Sequence, residues 1–183
     1  ATTTTTTVAP TTTTTTVAPT TTQIASGLAI DISMGYGHIC VVLEGGTVKC
    51  WGMASSGQLG YGDTSNLGDD PDEMGDNLPA VDLGTGMTAT AVGLGGETSC
   101  ALLSDGTVKC WGSNDSGTLG QGHSNFLGDN LGEMGNDLPP IDLGSGRSAT
   151  AVRTNGATAC ALLDNQTVKC WVYNQNGQVG NGR

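Results

Sequence analysis

An internal repeat is the feature that most constrains how this chain can fold. Residues 29–88 align with residues 89–148 without a gap, at a period of 60, and 28 of the 60 positions are identical. A third copy starts at residue 149 and runs to residue 183. A period of this size is typical of stacked supersecondary units, each of which buries its apolar side against its neighbours. The predicted organisation is therefore one repeat over 27–88, a second over 89–148 and a partial third over 149–183.

Each copy carries the same arrangement of two cysteines and a tryptophan. Nine residues separate the cysteines, and they read VVLEGGTVK, ALLSDGTVK and ALLDNQTVK. Each of these segments predicts a short apolar strand, a turn and a second short strand rich in β-branched residues. Another short strand precedes the first cysteine, as over 90–94 and 150–153, and a glycine-rich stretch follows the tryptophan. Three or four short strands per unit with glycine punctuation predict an all-β chain of propeller blades.

The turn between the cysteines sets their register. A three-residue loop over 104–106, with Gly106 in the left-handed conformation, places Leu103 opposite Thr107 and Cys100 opposite Cys110. A two-residue loop would put the two cysteines on opposite faces of the hairpin. Disulfides are therefore favoured over reduced buried thiols, and zinc is favoured least because structural zinc sites use closer ligand spacing. The predicted pairs are Cys40–Cys50, Cys100–Cys110 and Cys160–Cys170.

Three such disulfides have consequences for stability and for cellular compartment. Each would contribute roughly 2–3 kcal/mol in the chain-entropy description of a loop of this length. Paired cysteines also predict an oxidising setting, and hence an extracellular location.

The extended motif around the cysteines resembles the repeat of the RCC1 (regulator of chromosome condensation) β-propellers. It spans Gly35–Gly62 and Gly95–Gly122, and Asn155–Gly182 is a more diverged copy. The resemblance implies RCC1-like blades. The cysteine pairs replace the usual apolar or serine positions of that family, which points to its secreted variants. Each full copy is also lengthened by a loop, over 63–87 and 123–147.

About two and a half copies do not close the ring that this family usually makes. An unclosed set of blades leaves strand edges that can pair with another chain. Two interpretations follow: the chain is a fragment of a longer propeller, or neighbouring copies supply the missing contacts in an open helical or linear assembly. The predicted fold is thus all-β, with unclosed blades preceded by an extended segment.

The segment over 1–26 is predicted to be an extended, O-glycosylated stretch. Fifteen of its first 22 residues are threonine, and it lacks charged and aromatic residues. Pro10 and Pro19 favour polyproline II geometry, and this composition is typical of mucin-like stalks. A flexible linker is the alternative. The candidate O-glycosylation sites are Thr2, Thr3, Thr4, Thr5, Thr6, Thr7, Thr11, Thr12, Thr13, Thr14, Thr15, Thr16, Thr20, Thr21 and Thr22.

Asparagine-linked glycans are a second expectation. Asn114 begins the tripeptide Asn-Asp-Ser and Asn165 begins Asn-Gln-Thr, which are both acceptor sequences for N-glycosylation. Tripeptides this short also arise by chance. Asn165 falls in the predicted hairpin turn of the third copy.

The first inserted loop is acidic and raises the question of calcium. Dense carboxylates supply the hard oxygen ligands that calcium prefers, and the candidates are Asp69, Asp70, Asp72 and Glu73. The second copy of the loop keeps only Asp129 and Glu133 at the matching positions, whereas apolar positions recur. That pattern favours a packed loop over a calcium site, and the sequence predicts no other metal or cofactor.

Charge and motif content exclude several functions. Six basic residues stand against 17 acidic ones, for a net charge of −11, so nucleic-acid binding is not expected. No apolar run is long enough to insert into a membrane. His38 and His123 occupy unrelated repeat positions and have no nucleophile or carboxylate in a recognisable relation to them, so no catalytic residues and no enzyme are predicted. The recurrent tryptophans favour blade-core packing over a carbohydrate-stacking row.

Two classes of function remain. The first is a structural subunit of an extracellular glycosylated filament or surface appendage, whose partners are copies of itself and its attached glycans. The second is a protein-binding module, as an inhibitor or adhesion protein, within a secreted RCC1-like propeller. A nuclear exchange factor is disfavoured by the cysteine pairs and by the mucin-like segment.

Overall fold

The computed structural model describes residues 27–172 and 174–179. The threonine-rich segment 1–26, with all the predicted O-glycosylation sites, lies outside the described residues. Across the described ranges the chain is all-β, with nine strands in three separate antiparallel sheets and no helix. The predicted fold class is therefore confirmed.

Each sheet is built from three strands that are consecutive in sequence and lie side by side in chain order. The strands are β1 (Ala29–Met34), β2 (His38–Leu43), β3 (Val48–Gly52), β4 (Ala89–Gly95), β5 (Thr98–Leu103), β6 (Val108–Gly112), β7 (Ala149–Asn155), β8 (Thr158–Leu163) and β9 (Val168–Val172). We call β1–β3 blade 1, β4–β6 blade 2 and β7–β9 blade 3. Between each full blade and the next runs one of the long loops that the repeat alignment located.

The predicted hairpin register is confirmed. The backbone N–H of Leu103 donates to the carbonyl of Thr107 at 2.8 Å, and Gly106 adopts a φ of 83°. Cys100 then lies directly opposite Cys110. The third copy makes the same turn without a glycine, because Gln166 adopts a φ of 66° at the equivalent position.

This register brings each cysteine pair into bonding distance. The structure has disulfides between Cys40 and Cys50, Cys100 and Cys110, and Cys160 and Cys170, which confirms the predicted pairing. Those of blades 1 and 2 are fully buried, whereas the disulfide of blade 3 is half-buried.

The blades pack face to face, and the alternation of side chains along each strand divides every sheet into two faces. We call the face toward the following blade the trailing face, and the face toward the preceding blade the leading face. In blade 1, Cys40, Val42 and Val48 lie on the trailing face and join one core with Val92 and Trp111 from the leading face of blade 2. A second core forms in the same way between blades 2 and 3. The hydrophobic core therefore sits between blades, and each blade depends on its neighbours for burial.

None of the described residues forms a helix long and apolar enough to cross a membrane.

Candidate interaction surfaces

The contact between blades 1 and 2 is centred on a tryptophan. Trp111 is fully buried, and its indole Nε1 donates to the carbonyl oxygen of Gln58 at 3.1 Å. Gly60 lies directly against the ring, so that a Cβ at this position would stand 2.7 Å from Nε1. The glycine-rich stretch that follows each blade's own tryptophan is thus the seat for the tryptophan of the next blade.

Two side chains of β1 extend this contact to β4. A carboxylate oxygen of Asp31 accepts the backbone N–H of Val92 at 2.9 Å, and the hydroxyl of Ser33 accepts that of Leu94 at 3.0 Å. Because β4 pairs on one side only with β5, these N–H groups would otherwise lack a partner within the sheet. Blade 1 therefore satisfies the backbone of blade 2 with side chains.

A buried polar cluster at the same contact contains the histidine that the sequence singled out. His38 Nε2 lies 2.9 Å from the hydroxyl oxygen of Ser99, and that hydroxyl donates to the carbonyl of Gln58 at 2.8 Å. Burial lowers the pKa of His38 to about 4, despite the carboxylate of Glu97 nearby, so the ring is neutral at pH 7. Ser99 is completely buried and its hydroxyl proton is already donated to Gln58, so His38 and Ser99 hold blades 1 and 2 together and do not form a reactive pair.

The contact between blades 2 and 3 keeps the apolar part of this design. Gly120 lies against Trp171 as Gly60 lies against Trp111, so that a Cβ at position 120 would stand 2.9 Å from Cδ1 of the Trp171 ring. The Nε1 of Trp171, however, is buried without a hydrogen-bond partner. Ala91 and Gly93 replace Asp31 and Ser33, so they offer no side-chain acceptor to β7.

The leading face of blade 1 carries an exposed apolar patch. Ile32 and Met34 are 60% and 70% exposed, whereas their counterparts Val92 and Leu94 in blade 2 are each 4% exposed. The patch adjoins a shallow pocket of about 340 Å³ that Met34 and the half-buried Trp51 help to line. Val41 and Leu43, on the same face, are buried, so the open part of the face is the half around Trp51. We call Ile32, Met34 and Trp51 the leading patch.

The trailing face of blade 3 is exposed in a corresponding way. Val168 is 64% exposed, whereas its counterparts Val48 and Val108 are fully buried against the following blade. Leu162 is also exposed, although Leu102 at the same position of blade 2 is buried. We call Leu162 and Val168 the trailing patch.

The long loops are packed, as the recurrence of apolar positions predicted. Gly52 pairs with Leu67 through two backbone hydrogen bonds, and Gly112 pairs with Leu127 in the same way. A carboxylate oxygen of Glu73 accepts the N–H groups of Gly68 and Asp70 at 2.7 and 3.1 Å. The structure therefore assigns Glu73 a role inside its own loop.

The remaining calcium candidates are not brought together with Glu73 as a site. Asp69, Asp70 and Asp72 are exposed along the loop. Among the described residues, no group of three or more histidine, cysteine, aspartate or glutamate side chains is arranged to hold a metal ion.

The structure contradicts a glycan on Asn114. This side chain is fully buried; its Nδ2 donates to the carbonyls of His123 and Asn125 at 2.7 and 2.9 Å, and its Oδ1 accepts the N–H of Leu119 at 2.9 Å. A sugar on Nδ2 would replace those bonds and would have no space beside them. Asn114 instead fastens the start of the second long loop to the glycine-rich stretch.

Asn165 lies in the exposed turn between β8 and β9. Its Oδ1 accepts the N–H and the hydroxyl of Thr167 at 3.1 and 2.7 Å, which is the geometry that fixes the turn. The side chain is accessible, so the expectation of a glycan at Asn165 stands as a prediction.

One functional residue escaped the sequence analysis, although its recurrence in all three copies was a signal. Lys109, in the segment between the paired cysteines, donates to the carbonyls of Leu83 and Gly135 at 2.9 and 2.7 Å. Burial lowers the pKa of its ammonium, whereas the carboxylates of Asp82 and Asp105 act in the opposite direction. Lys109 therefore ties blade 2 to the loop that follows blade 1 and to the loop that follows blade 2.

Comparison with known proteins agrees with this architecture. Residues 29–58 and 89–118 match the regulator of chromosome condensation (RCC1) repeat. The human E3 ubiquitin-protein ligase HERC2 is 26% identical over 153 residues, which are 83% of this chain and 3% of that protein. The E3 ubiquitin-protein ligase MYCBP2 of Danio rerio is 28% identical over 144 residues, or 79% of this chain and 3% of that protein. The chain thus spans about 3% of the length of these curated relatives.

A solved RCC1 propeller has the same blade architecture. The crystal structure of Prp20p from Saccharomyces cerevisiae, described with its binding to Gsp1p and histones, matches with a TM-score of 0.60 and 18% identity. The match covers 83% of this chain and 35% of Prp20p. Residues 29–58 and 89–118 are therefore similar to the RCC1 repeat, and the described strands fold as RCC1-like propeller blades.

Proposed function

We propose that this chain is a structural subunit of an extracellular, glycosylated filament or surface appendage, and that it binds protein neighbours through its open blade faces. One observation carries the proposal: Ile32, Met34 and the trailing patch are exposed. The residues at the same repeat positions of the contact between blades 1 and 2 are buried, as are Val108 and Val152 at the contact between blades 2 and 3. Exposed apolar surface of this kind typically marks an interaction site.

The three disulfides support the extracellular part of the proposal. Disulfides persist in oxidising compartments and are rare where thiols are kept reduced. Every cysteine of the described chain is paired, and two of the three pairs are completely buried. The threonine-rich segment and Asn165 would then carry the glycans of the assembled material.

No catalytic activity is part of this proposal. The side chains that the structure gathers at the contact of blades 1 and 2, including His38 and Ser99, are occupied in holding the blades together. Such an arrangement supports a mechanical role.

Electron microscopy of the native material tests the proposal. An antibody against the chain should label long surface filaments that have a regular axial repeat. Labelling of discrete particles alone would overturn the filament role. The intact mass before and after removal of glycans is the companion measurement, and a mass that this removal leaves unchanged would overturn the glycosylated part.

A protein-binding module within a larger propeller is the second candidate, favoured by a groove between the long loops. The groove has a volume of about 610 Å³ and is lined by Tyr61, Asp82, Leu131 and Met134, among others. Leu131 stands at its margin with 89% of its surface exposed. A partner that bound there would be sensitive to Leu131→Asp and insensitive to changes in the leading patch.

A further inference from the structure

The two exposed patches occupy repeat positions that face each other where two blades of the chain meet. We infer that a second copy of this chain docks head to tail, with the trailing face of its blade 3 on the leading face of blade 1. This inference rests on the proposed function and names the partner that the open faces bind.

The first argument is that the chain contains this joint twice already. Between blades 1 and 2, Val48 from one blade and Val92 from the next are buried in a common core. Between blades 2 and 3, Val108 and Val152 occupy the same two positions in the second core. Val168 and Ile32 are the next pair in this series, and both are exposed at opposite ends of the described blades.

The second argument is the loop that seats the tryptophan. In blade 1 this loop is closed by a hydrogen bond from Ser56 N–H to Gln58 Oε1 at 2.8 Å, and Gln58 then offers its carbonyl to Trp111. In blade 3 the N–H of Asn176 donates to Gln178 Oε1 at 2.9 Å, so the loop has the same conformation. Gln178 is exposed.

Trp51 is the tryptophan to which this loop corresponds. It lies beside the open pocket on the leading face of blade 1 and is half-buried, whereas Trp111 in the same position of blade 2 is fully buried. Seating Trp51 on the 174–179 loop of another copy would bury it in the manner of Trp111. The acceptor for its indole N–H would be the carbonyl of Gln178.

Apolar matching also favours a second copy over an unrelated partner. Both patches consist of aliphatic or aromatic side chains, although the chain as a whole carries a net charge of −11. Two acidic copies meet best through surfaces that bear no charge, because like charges disfavour contact elsewhere. A head-to-tail contact joins two different surfaces, so that each copy keeps one free patch and assembly continues.

Complementary blocked variants of the full chain test this arrangement. Ile32→Asp with Met34→Asp blocks the leading patch, and Val168→Asp blocks the trailing patch. Because docking would bury unpaired carboxylates, each change should weaken self-association by about 100-fold or more. Sedimentation velocity should therefore find each blocked protein monomeric, and an equimolar mixture should form a one-to-one dimer through the two intact patches.

Matched controls separate docking from a general effect of added charge. Ile30 lies on the same strand as Ile32 and is exposed, but its counterparts Thr90 and Thr150 remain exposed beside neighbouring blades. Ile30→Asp should leave association unchanged, as should Asn165→Asp in the turn of blade 3. Formation of the mixed dimer also shows that both blocked proteins are folded.

The other outcomes overturn the inference in distinguishable ways. Dimerisation of the Val168→Asp protein alone would show two leading patches meeting about a two-fold axis. A mixture that stays monomeric, or blocked proteins that assemble as well as the parent, would remove the joint. If native filaments are labelled but the blocked variants associate as well as the parent, the filament role stands and this joint is excluded. If the copies form closed rings through the two patches, this joint stands and the filament role is overturned.

Discussion

The contact between blades 1 and 2 and the contact between blades 2 and 3 are made by equivalent strands, yet they differ in polar detail. Both place a tryptophan against a glycine of the preceding blade. Only the first satisfies the indole N–H and receives hydrogen bonds at Asp31 and Ser33. The part that both contacts share is apolar and depends on shape. Apolar packing is therefore what joins two blades, and the hydrogen bonds additionally strengthen the contact between blades 1 and 2.

The largest difference between the two contacts is expected at the tryptophans. Trp111→Ala removes a fully buried ring and its hydrogen bond, and should lower the free energy of unfolding by about 3–5 kcal/mol. Trp171→Ala should cost clearly less, because its ring is only half-buried and its N–H is already unpaired. Urea titrations of the two variants measure both losses, and equal losses would contradict the comparison.

A pH dependence should belong to the first contact alone, because Thr98 stands at the position of His38 in the second. The pKa of His38 is lowered from 6.5 to about 4 in the folded protein. Between these values the unfolded chain binds a proton that the folded chain does not, so stability falls as the pH drops from about 6.5 to about 4. The loss is on the order of 3 kcal/mol.

His38→Gln isolates this contribution. The carboxylates titrate in both proteins, so the difference between urea titrations of the two at pH 7 and pH 4 reports the histidine. The parent should lose more stability than the variant over that interval. Identical losses would show that His38 does not titrate with a lowered pKa.

Gly57 and Gly117 occupy the same position in the first and second repeats. Gly57 and Gly117 have φ values of 74° and 72°, so alanine at either should cost about 1–2 kcal/mol for conformation alone. A Cβ on Gly57 would also overlap the backbone of Asp129, whereas a Cβ on Gly117 meets nothing within 4 Å. Gly57→Ala should thus be the more destabilising by about 2 kcal/mol in thermal or urea unfolding. Equal costs would mean that the loop around Asp129 moves freely.

The smallest effects are expected for the side chains that cap β4. Ser33→Ala and Asp31→Ala each remove one acceptor from a backbone N–H, and each should cost about 1–2 kcal/mol. The exchange rates of the Val92 and Leu94 amides should rise, whereas those of the equivalent amides in β7 should not change. Unchanged exchange at Val92 in Asp31→Ala would contradict the capping role.

The sequence predicted the parts of this structure that depend on local spacing. The nine residues between the cysteines fixed the hairpin register, and Gly106 fixed the turn, so the blades and the disulfides could be predicted. Asn114 was misread because a three-residue acceptor motif says nothing about residues 119–125, which enclose the side chain.

The interaction surfaces were harder to predict for a different reason. Ile32, Val92 and Val152 are all apolar, so composition alone does not distinguish the exposed one from the two that are buried. That distinction depends on which blade lies against each face, which is a property of the stacked structure. Lys109 was likewise visible as a recurrent residue, but its bonds to Leu83 and Gly135 required the packing of neighbouring loops.

The most direct test of this account is the symmetry that relates neighbouring copies of the chain, determined by electron cryo-microscopy of its assemblies. The rotation and translation that carry blade 2 onto blade 3 should also carry blade 3 of one copy onto blade 1 of the next, with Trp51 buried at the junction. A two-fold axis between copies, or a junction that leaves Ile32, Met34 and Val168 exposed, would contradict it.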